Sequence, residues 1–228
     1  MPFFAYIVIA LGAYLIGSIP TGFLVAKAKG IDIRKTGSGN IGATNAMRVL
    51  GKPAGIFVLL MDALKGYAAV TLLTPMLCDG YLHLITHQTA FLVAYFRDQP
   101  DEVRMHMSIL AGIFAVLGHN YTCWLKFKGG KGIATTAGVY LALAPWAVLV
   151  ALVVFILAVM ITRYVSVGSI LAAIALPATV WIMSPDNLFL DLVTTALGLM
   201  AIYKHKGNIQ RLMAGMENRL GKKPEATK

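Results

Sequence analysis

The sequence predicts an all-α membrane protein: a polytopic bundle of seven transmembrane helices, N-terminus outside and C-terminus cytoplasmic. Three observations carry this reading. The 228 residues are 58% hydrophobic and only 13% charged, where a soluble domain is about 25% charged. Apolar runs that approach or exceed the ~20 residues needed to cross a bilayer recur along the chain. The net charge of +10 is concentrated in the short segments 27–52, 126–131 and 204–228, which the cytoplasmic preference of basic residues puts on one side. The whole of 1–228 reads as a single integral membrane domain, with 212–228 as a basic cytoplasmic tail.

The same features exclude other classes. The basic residues are not interleaved with stacking aromatics, so nucleic acid is not expected as a partner. Cys78 and Cys123 lie far apart without metal-ligand spacing, so they read as unpaired thiols. The first apolar run has no basic residue before it and ends in Lys27 and Lys29, the reverse of a cleaved signal peptide.

Taken in order, 3–26 is the first span, with a kink expected at Gly17-Ser18-Ile19-Pro20. Residues 27–52 form a polar, positively charged loop, and 54–77 the second span. Asp62 and Lys65 lie three apart in that span and share a helix face. They read equally as a structural pair and as site residues. Segment 78–107 reads as an outer loop with a surface helix, because 83–96 is too short for a comfortable span and 97–102 is mixed in charge. The third span is 107–125. The long apolar run 133–161 is interrupted by Pro145, and two more spans follow at 166–183 and 188–203. Parity decides how the long run is counted. If it is one crossing, the basic tail emerges outside. If Pro145 splits it, the count is seven and all three basic segments share the cytoplasmic side. A crossing at 81–96 would restore the same parity and is the less favoured alternative.

Three of the segments on that side suit phosphate. In 36–48, glycines alternate with small donors: Ser38, Gly39, Asn40, Thr44 and Asn45, closed by Arg48. The bland alternative is a loop with a helix cap at Thr44 or Asn45. In 118–132, GHNYTCWLKFKGGKG, Gly129 and Gly130 let backbone N–H groups and the Lys131 ammonium converge on an anion, with Thr135 or Thr136 near the helix start. This is no nucleotide-binding P-loop, since Gly132 follows the lysine. The bland alternative is a basic anchor at the lipid headgroups. His119 reads as a packing residue rather than a base. In 204–211, His205 and Asn208 share a helical face, as do Asn208 and Arg211. Three such segments on one side point to a phosphorylated substrate handled at the cytoplasmic surface.

These stretches, GSGNIGATNAMR, GHNYTCWLKFKGGKGIAT and KHKGNIQRLMAGME, resemble the three cytosolic motifs of the bacterial acyl-phosphate:glycerol-3-phosphate acyltransferases, the PlsY family. GSIP, Asp62-Ala-Leu-Lys65-Gly66 and Arg163-Tyr-Val-Ser166 are similar too, so the resemblance covers nearly the whole chain. Thr122 stands where the family usually has Pro, Lys204 where it often has Arg, and 78–107 is longer than usual. The resemblance implies acyl transfer from acyl phosphate to the 1-hydroxyl of glycerol 3-phosphate, giving lysophosphatidic acid and phosphate, the first step of phospholipid synthesis. It implies an enzyme of the bacterial inner membrane with its active site facing the cytoplasm, membrane lipid around it, and neither a metal nor another cofactor.

None of the five histidines (His83, His87, His106, His119, His205) has an Asp five residues on. The His-x4-Asp dyad of soluble-type glycerolipid acyltransferases is therefore absent. Catalysis is expected from positioning and charge stabilisation. Ser38, Arg48, Lys131 and Ser169 hold phosphate groups, His205 and Asn208 orient the glycerol hydroxyl, and a substrate phosphate accepts its proton. Gly39, Asn40, Thr44, Asn45, Gly129, Gly130 and Arg211 complete the expected phosphate-binding set. A transporter of organic phosphates is the alternative, favoured by broken helices and basic sites, but it calls for polar residues at mid-membrane rather than at loop ends. A non-catalytic scaffold leaves the glycine-rich loops unexplained.

Overall fold

The computed structural model describes residues 2–77 and 100–221. Expectations for 78–99, including the outer loop, its extra length, Cys78, His83, His87 and a crossing at 81–96, lie outside the described residues, as do Lys222 and Lys223. Every regular element among the described residues is helical. The chain divides into two compact units, Met1–Pro145 and Trp146–Lys228.

The first unit opens with α1 (Pro2–Ser18) and α2 (Thr21–Lys27). The expected kink falls between them, where Pro20 has no N–H to continue the ladder. A one-turn helix at Ile33–Lys35 precedes α3 (Ala43–Leu50). Next, α4 (Lys52–Ala68) starts with Pro53 in its first turn and runs on into a π-helical turn, Ala69–Leu73. Then come α5 (Pro100–Asn120), a turn at Cys123–Leu125 and α6 (Ile133–Leu143).

Residues 100–107 are not outer loop but the first two turns of α5. Pro100, Asp101 and Glu102 are helix-start residues, since proline suits the first turn and carboxylates suit the positive end of the dipole. As sequence they read as loop punctuation.

The helices of this unit pack backbone to backbone. A Cβ on Gly17 would meet the Ala115 backbone oxygen at 2.1 Å, and one on Gly118 would meet that of Tyr14 at 2.2 Å. Tyr14 Oη donates to the Tyr121 carbonyl at 2.6 Å, and Thr122 Oγ1 donates to the Ser18 carbonyl. So α1 and α5 approach through small residues, as helices do where lipid supplies no hydrophobic drive between them. The same device joins α4 to α6. A Cβ on Gly66 would meet the Thr135 oxygen at 2.2 Å, and one on Gly138 the Ala63 oxygen at 1.8 Å. A buried cluster of Ala26, Ile33, Ile41, Ala46, Val58 and Leu125 fastens the 31–46 segment to these helices.

The second unit holds most of α7 (Pro145–Thr162), with α8 (Val165–Met183), α9 (Leu188–Lys204) and α10 (Lys206–Met213). Pro145 does interrupt the long apolar run, as expected: α6 ends at Leu143 and α7 begins at Pro145. Asn187 caps α9 by accepting the Leu190 N–H at 3.0 Å. Trp181 Nε1 donates to Thr195 Oγ1 at 3.0 Å across the α8–α9 pair. The chain bends by 51° between α9 and α10, at His205.

Among the described residues, five helical stretches are long and apolar enough to cross a membrane: Phe4–Lys27, Lys52–Leu77, Asp101–Leu125, Pro145–Thr162 and Val165–Met183. The bent pair Leu188–Lys204 and Lys206–Met213 makes a sixth, and Ile133–Leu143 is a shorter apolar helix. Ile161 is 81% exposed and Ile182 79%, as suits side chains solvated by lipid tails rather than water. The chain is a multi-pass membrane protein.

Gly66→Leu and Gly138→Leu should each destabilise the fold by at least about 1–3 kcal/mol, because the added side chain has only backbone to displace. Thermal unfolding in detergent reads this as a lowered midpoint. An unshifted midpoint in both variants would contradict the α4–α6 approach.

Candidate active site

In the 31–48 segment the organising side chain is Asn45, 2% exposed. Its amide nitrogen donates to the carbonyls of Ile33 (3.3 Å), Thr36 (3.0 Å) and Asn40 (2.8 Å). Its oxygen accepts the Ser38 N–H at 2.9 Å and Arg48 Nη1 at 3.5 Å. One buried amide therefore folds the loop and brings Ser38 and Arg48 to a common atom. Gly37 makes this possible: its φ is +63°, and a Cβ there would sit 2.3 Å from Asn45 Oδ1. Asn40 Oδ1 accepts the Gly42 N–H at 2.7 Å, so Asn40 too shapes the loop. The side chains of Ser38, Thr44 and Arg48 are exposed, while Gly39 is half-buried.

At the start of this loop, Asp32 accepts Arg34 Nε at 2.9 Å, Nη2 at 2.8 Å and the Arg34 N–H at 3.1 Å. The hydrogen-bonded guanidinium holds the Asp32 carboxyl at about 2, below its ordinary 3.8. Because the folded value is the lower one, this restraint is fully present above about pH 4 and is lost as pH falls through about 2.

The GGKG stretch has a different construction from the one expected. Gly129 N–H donates to the Asn120 carbonyl at 3.3 Å and Gly130 N–H to the His119 carbonyl at 3.0 Å. The two donors expected to face an anion instead satisfy carbonyls at the end of α5, which an isolated helix leaves unpaired. What the stretch presents is Lys131, half-buried, just before Gly132 (φ +86°) and the first turn of α6. Thr135 is fully buried against α4 and Thr136 is half-buried. Earlier in the segment, Lys126 and Phe127 adopt left-handed φ values of 53° and 60°. They leave Trp124 64% and Phe127 63% exposed beside Lys126 and Lys128, the composition of an anchor at the lipid–water boundary.

In the second unit, His205 sits at the α9–α10 bend, 3% exposed, with Nδ1 2.8 Å from the Ala201 carbonyl. A carbonyl only accepts, so Nδ1 carries a proton directed at Ala201. His205 O accepts the N–H groups of Asn208 (2.8 Å) and Ile209 (3.0 Å), so the same residue starts α10. Glu217 then ties the region together. Its Oε1 accepts from Asn208 Nδ2 at 2.7 Å and from Ser166 Oγ at 3.2 Å. Its Oε2 lies 2.8 Å from Arg211 Nε. Farther on, Arg219 Nε donates to Tyr164 Oη at 3.0 Å, and Leu220 N–H to the Arg163 carbonyl at 2.8 Å. Residues 217–220 of the expected basic tail are thus fastened to the 163–166 turn. Ser169 Oγ donates to the Val165 carbonyl at 2.9 Å, leaving its lone pairs as the groups it offers elsewhere. Among the described residues, no group of three or more His, Cys, Asp or Glu is placed to hold a metal ion.

Comparison with known proteins adds the identity of the fold. A family model for glycerol-3-phosphate acyltransferase matches residues 7–215. The chain belongs to the glycerol-3-phosphate acyltransferase family. The family's protein from Geobacter metallireducens is 49% identical over 213 residues, covering 93% of this chain and 96% of that one. The one from Geotalea daltonii is 43% identical over 212 residues, covering 93% and 96%. Crystal structures of PlsY (YgiH), an integral membrane glycerol 3-phosphate acyltransferase, superpose on this fold at 33% identity. The glycerol 3-phosphate form gives a TM-score of 0.77, covering 95% of this chain and 96% of that one. The lysophosphatidic acid form gives 0.74, with 95% of each chain covered.

Each unit of this acyltransferase-family chain gathers part of the expected set: Ser38, Asn45 and Arg48 in the first, with Lys131 on its own loop, and His205, Asn208 and Arg211 in the second. Sequence reasoning left Glu217 and Ser166 without roles. The available signal for Glu217 was one of only two carboxylates in a basic tail, six residues after an arginine and nine after an asparagine.

Asn45→Ala should cost at least about 2 kcal/mol in loop stability, because several buried backbone partners lose their bonds, and should lower acyl transfer at least tenfold. Glu217→Ala should likewise lower kcat/KM at least tenfold and open 214–221 to limited proteolysis. Glu217→Gln, which keeps an acceptor for Asn208 and Ser166 but loses the charge facing Arg211, should fall in between. Wild-type kinetics for Glu217→Ala would remove it from the site.

Proposed function

We propose that the chain transfers an acyl group from acyl phosphate to the 1-hydroxyl of glycerol 3-phosphate, releasing 1-acylglycerol 3-phosphate and inorganic phosphate. That the protein is an acyltransferase acting on glycerol 3-phosphate follows from its family. The observation that carries the reading is the chain-long match to these acyltransferases, which includes a structure solved in a glycerol 3-phosphate form. The acyl phosphate donor is supported by chemistry. The sequence has no His-x4-Asp motif, and an acyl phosphate is a mixed anhydride that needs positioning more than a strong base.

In this reading residues 1–228 act as one acyltransferase domain. Ser38, Arg48 and Lys131, with Ser169 and Arg211, hold phosphate groups and stabilise the charge that develops as the anhydride opens. Thr44, Gly39, Asn40, Gly129 and Gly130 shape or line the phosphate-holding loops, and Asn45 sets the geometry of the first. Asn208 and His205 orient the glycerol hydroxyl. Attack on the acyl carbon forms the new C–O ester bond and breaks the acyl–phosphate bond. The hydroxyl proton passes to a substrate phosphate. No metal, nucleic acid or organic cofactor takes part, and membrane lipid accommodates the acyl chains.

The topology proposed is seven crossings in the bacterial inner membrane, with α6 and α7 as separate spans, the N-terminus outside, and segments 27–52, 126–131 and 204–221 cytoplasmic. Support comes from the helix breaks at Pro145 and at Ser184–Asn187 and from the distribution of basic residues.

With purified protein in detergent, phosphate should be released from acyl phosphate only when glycerol 3-phosphate is added. Chelators should leave the rate unchanged. Lys131→Met and His205→Ala should each lower turnover by about 100-fold or more. Near-wild-type turnover in either variant removes that residue from the mechanism. Single cysteines at Lys35 and Arg219 should label with an impermeant thiol reagent only from the cytoplasmic side, and one at Asp186 only from outside. Any other pattern contradicts seven crossings.

A further inference from the structure

Asp62 and Lys65, the ionisable pair of the second span, are not simply tied to each other. Asp62 is 2% exposed and Lys65 7%, with Lys65 Nζ 2.8 Å from Asp62 Oδ1. Lys65 also donates to the Ile19 carbonyl at 2.9 Å, at the break between α1 and α2. The same oxygen, Asp62 Oδ1, lies 3.6 Å from Nδ1 of His119, itself 5% exposed. Charged groups held inside a membrane span are expensive and mark function more often than packing.

The path continues beyond His119. Its ring lies directly against Gly130: a Cβ added there would sit 2.1 Å from His119 Nε2. Its backbone carbonyl accepts the Gly130 N–H at 3.0 Å. The imidazole therefore stands between Asp62 and the residue immediately before Lys131. On the far side of Lys131 the chain returns to the same helix. Thr135, in the first turn of α6, packs its backbone on Gly66, one turn of α4 beyond Asp62. Lys131 thus lies between two attachments to one short piece of α4, one through a side chain and one through backbone contact.

We propose that Asp62, His119, Lys65 and Gly66 form a platform that positions Lys131, with Asp62 and His119 as positioning residues for the transfer reaction rather than catalytic ones. This rests on the assignment of Lys131 to a substrate phosphate. The ion pair fixes the height of α4 against the α1–α2 break, and the imidazole transfers that height to Gly130. A lysine on a glycine-rich strand otherwise samples many positions, and holding it in one removes that entropy from the binding step.

The test uses full-length protein in detergent. Hydrogen–deuterium exchange without substrate is measured for wild type, Asp62→Asn and His119→Gln, with Lys131→Met as the control for the phosphate assignment. Asp62→Asn and His119→Gln should raise exchange of the 126–132 amides at least threefold. In His119→Gln the midpoint should stay within about 2 °C and exchange in α4 and α6 should be unchanged, whereas Asp62→Asn, which leaves the buried Lys65 without its carboxylate, should also lower the midpoint. In kinetics each should raise KM for at least one phosphate substrate about fivefold or more while kcat changes less than threefold. Asp62→Glu, which restores the charge, should recover part of the loss. If Asp62→Asn does not accumulate, His119→Gln decides the question alone.

Unchanged exchange and KM in these variants overturns the platform, even when Lys131→Met is impaired. In His119→Gln, exchange raised uniformly across α4, α5 and α6 with a lowered midpoint also overturns it, since that is general destabilisation. Full activity in Lys131→Met removes the phosphate assignment, and the exchange data then judge the platform separately.

Discussion

A helix that stops at a membrane face leaves its last carbonyls without partners, and in the first unit the answer to that constraint sets much else. The end of α5 is closed by the N–H groups of Gly129 and Gly130 on the carbonyls of Asn120 and His119. Only glycine allows the strand to come that close. Once it is laid down, the register of Lys131, the turn at Gly132 and the first turn of α6 follow. The motif is conspicuous because it does two jobs. Its glycines complete a helix end, and its lysine remains as the charge on show.

A comparable economy appears at the two other polar clusters. Asn45 and Glu217 are each a single polar side chain whose partners come from several turns of chain. Asn45 uses both faces of its amide to shape a loop that has little apolar content of its own. Glu217 holds an amide, a hydroxyl and a guanidinium at once. Asn45 is far more buried than the Ser38 and Arg48 it brings together, as a preorganised site requires.

The sequence disclosed the fold class and the breaks with some accuracy, because those are written in residue types that act locally. Pro20 and Pro145 interrupt helices through a missing N–H, and apolar runs of membrane length have few other readings. It misplaced the start of α5, because Pro100, Asp101 and Glu102 are equally at home in a loop and in a first helical turn. It named Asn45, Gly129 and Gly130 but expected them to face a ligand, since a donor's partner depends on chain arriving from elsewhere. It judged His119 a packing residue, and neither the Asp62 carboxylate nor Gly130 beside its ring can be inferred from spacing. Glu217 was invisible as a hub for the same reason: its partners lie between six and fifty-one positions away.

The placement of Glu217 also bears on how the protein is made. This carboxylate follows every apolar helix among the described residues, yet it holds the side chains of Asn208 and Arg211. A ribosome that has threaded α9 into the bilayer has built the membrane body without the group that orders its last polar cluster. That cluster assembles only when the 217–220 segment leaves the exit tunnel and folds back on the 163–166 turn. Nascent chains whose 217–220 segment is still inside the ribosome therefore stay incomplete at this cluster.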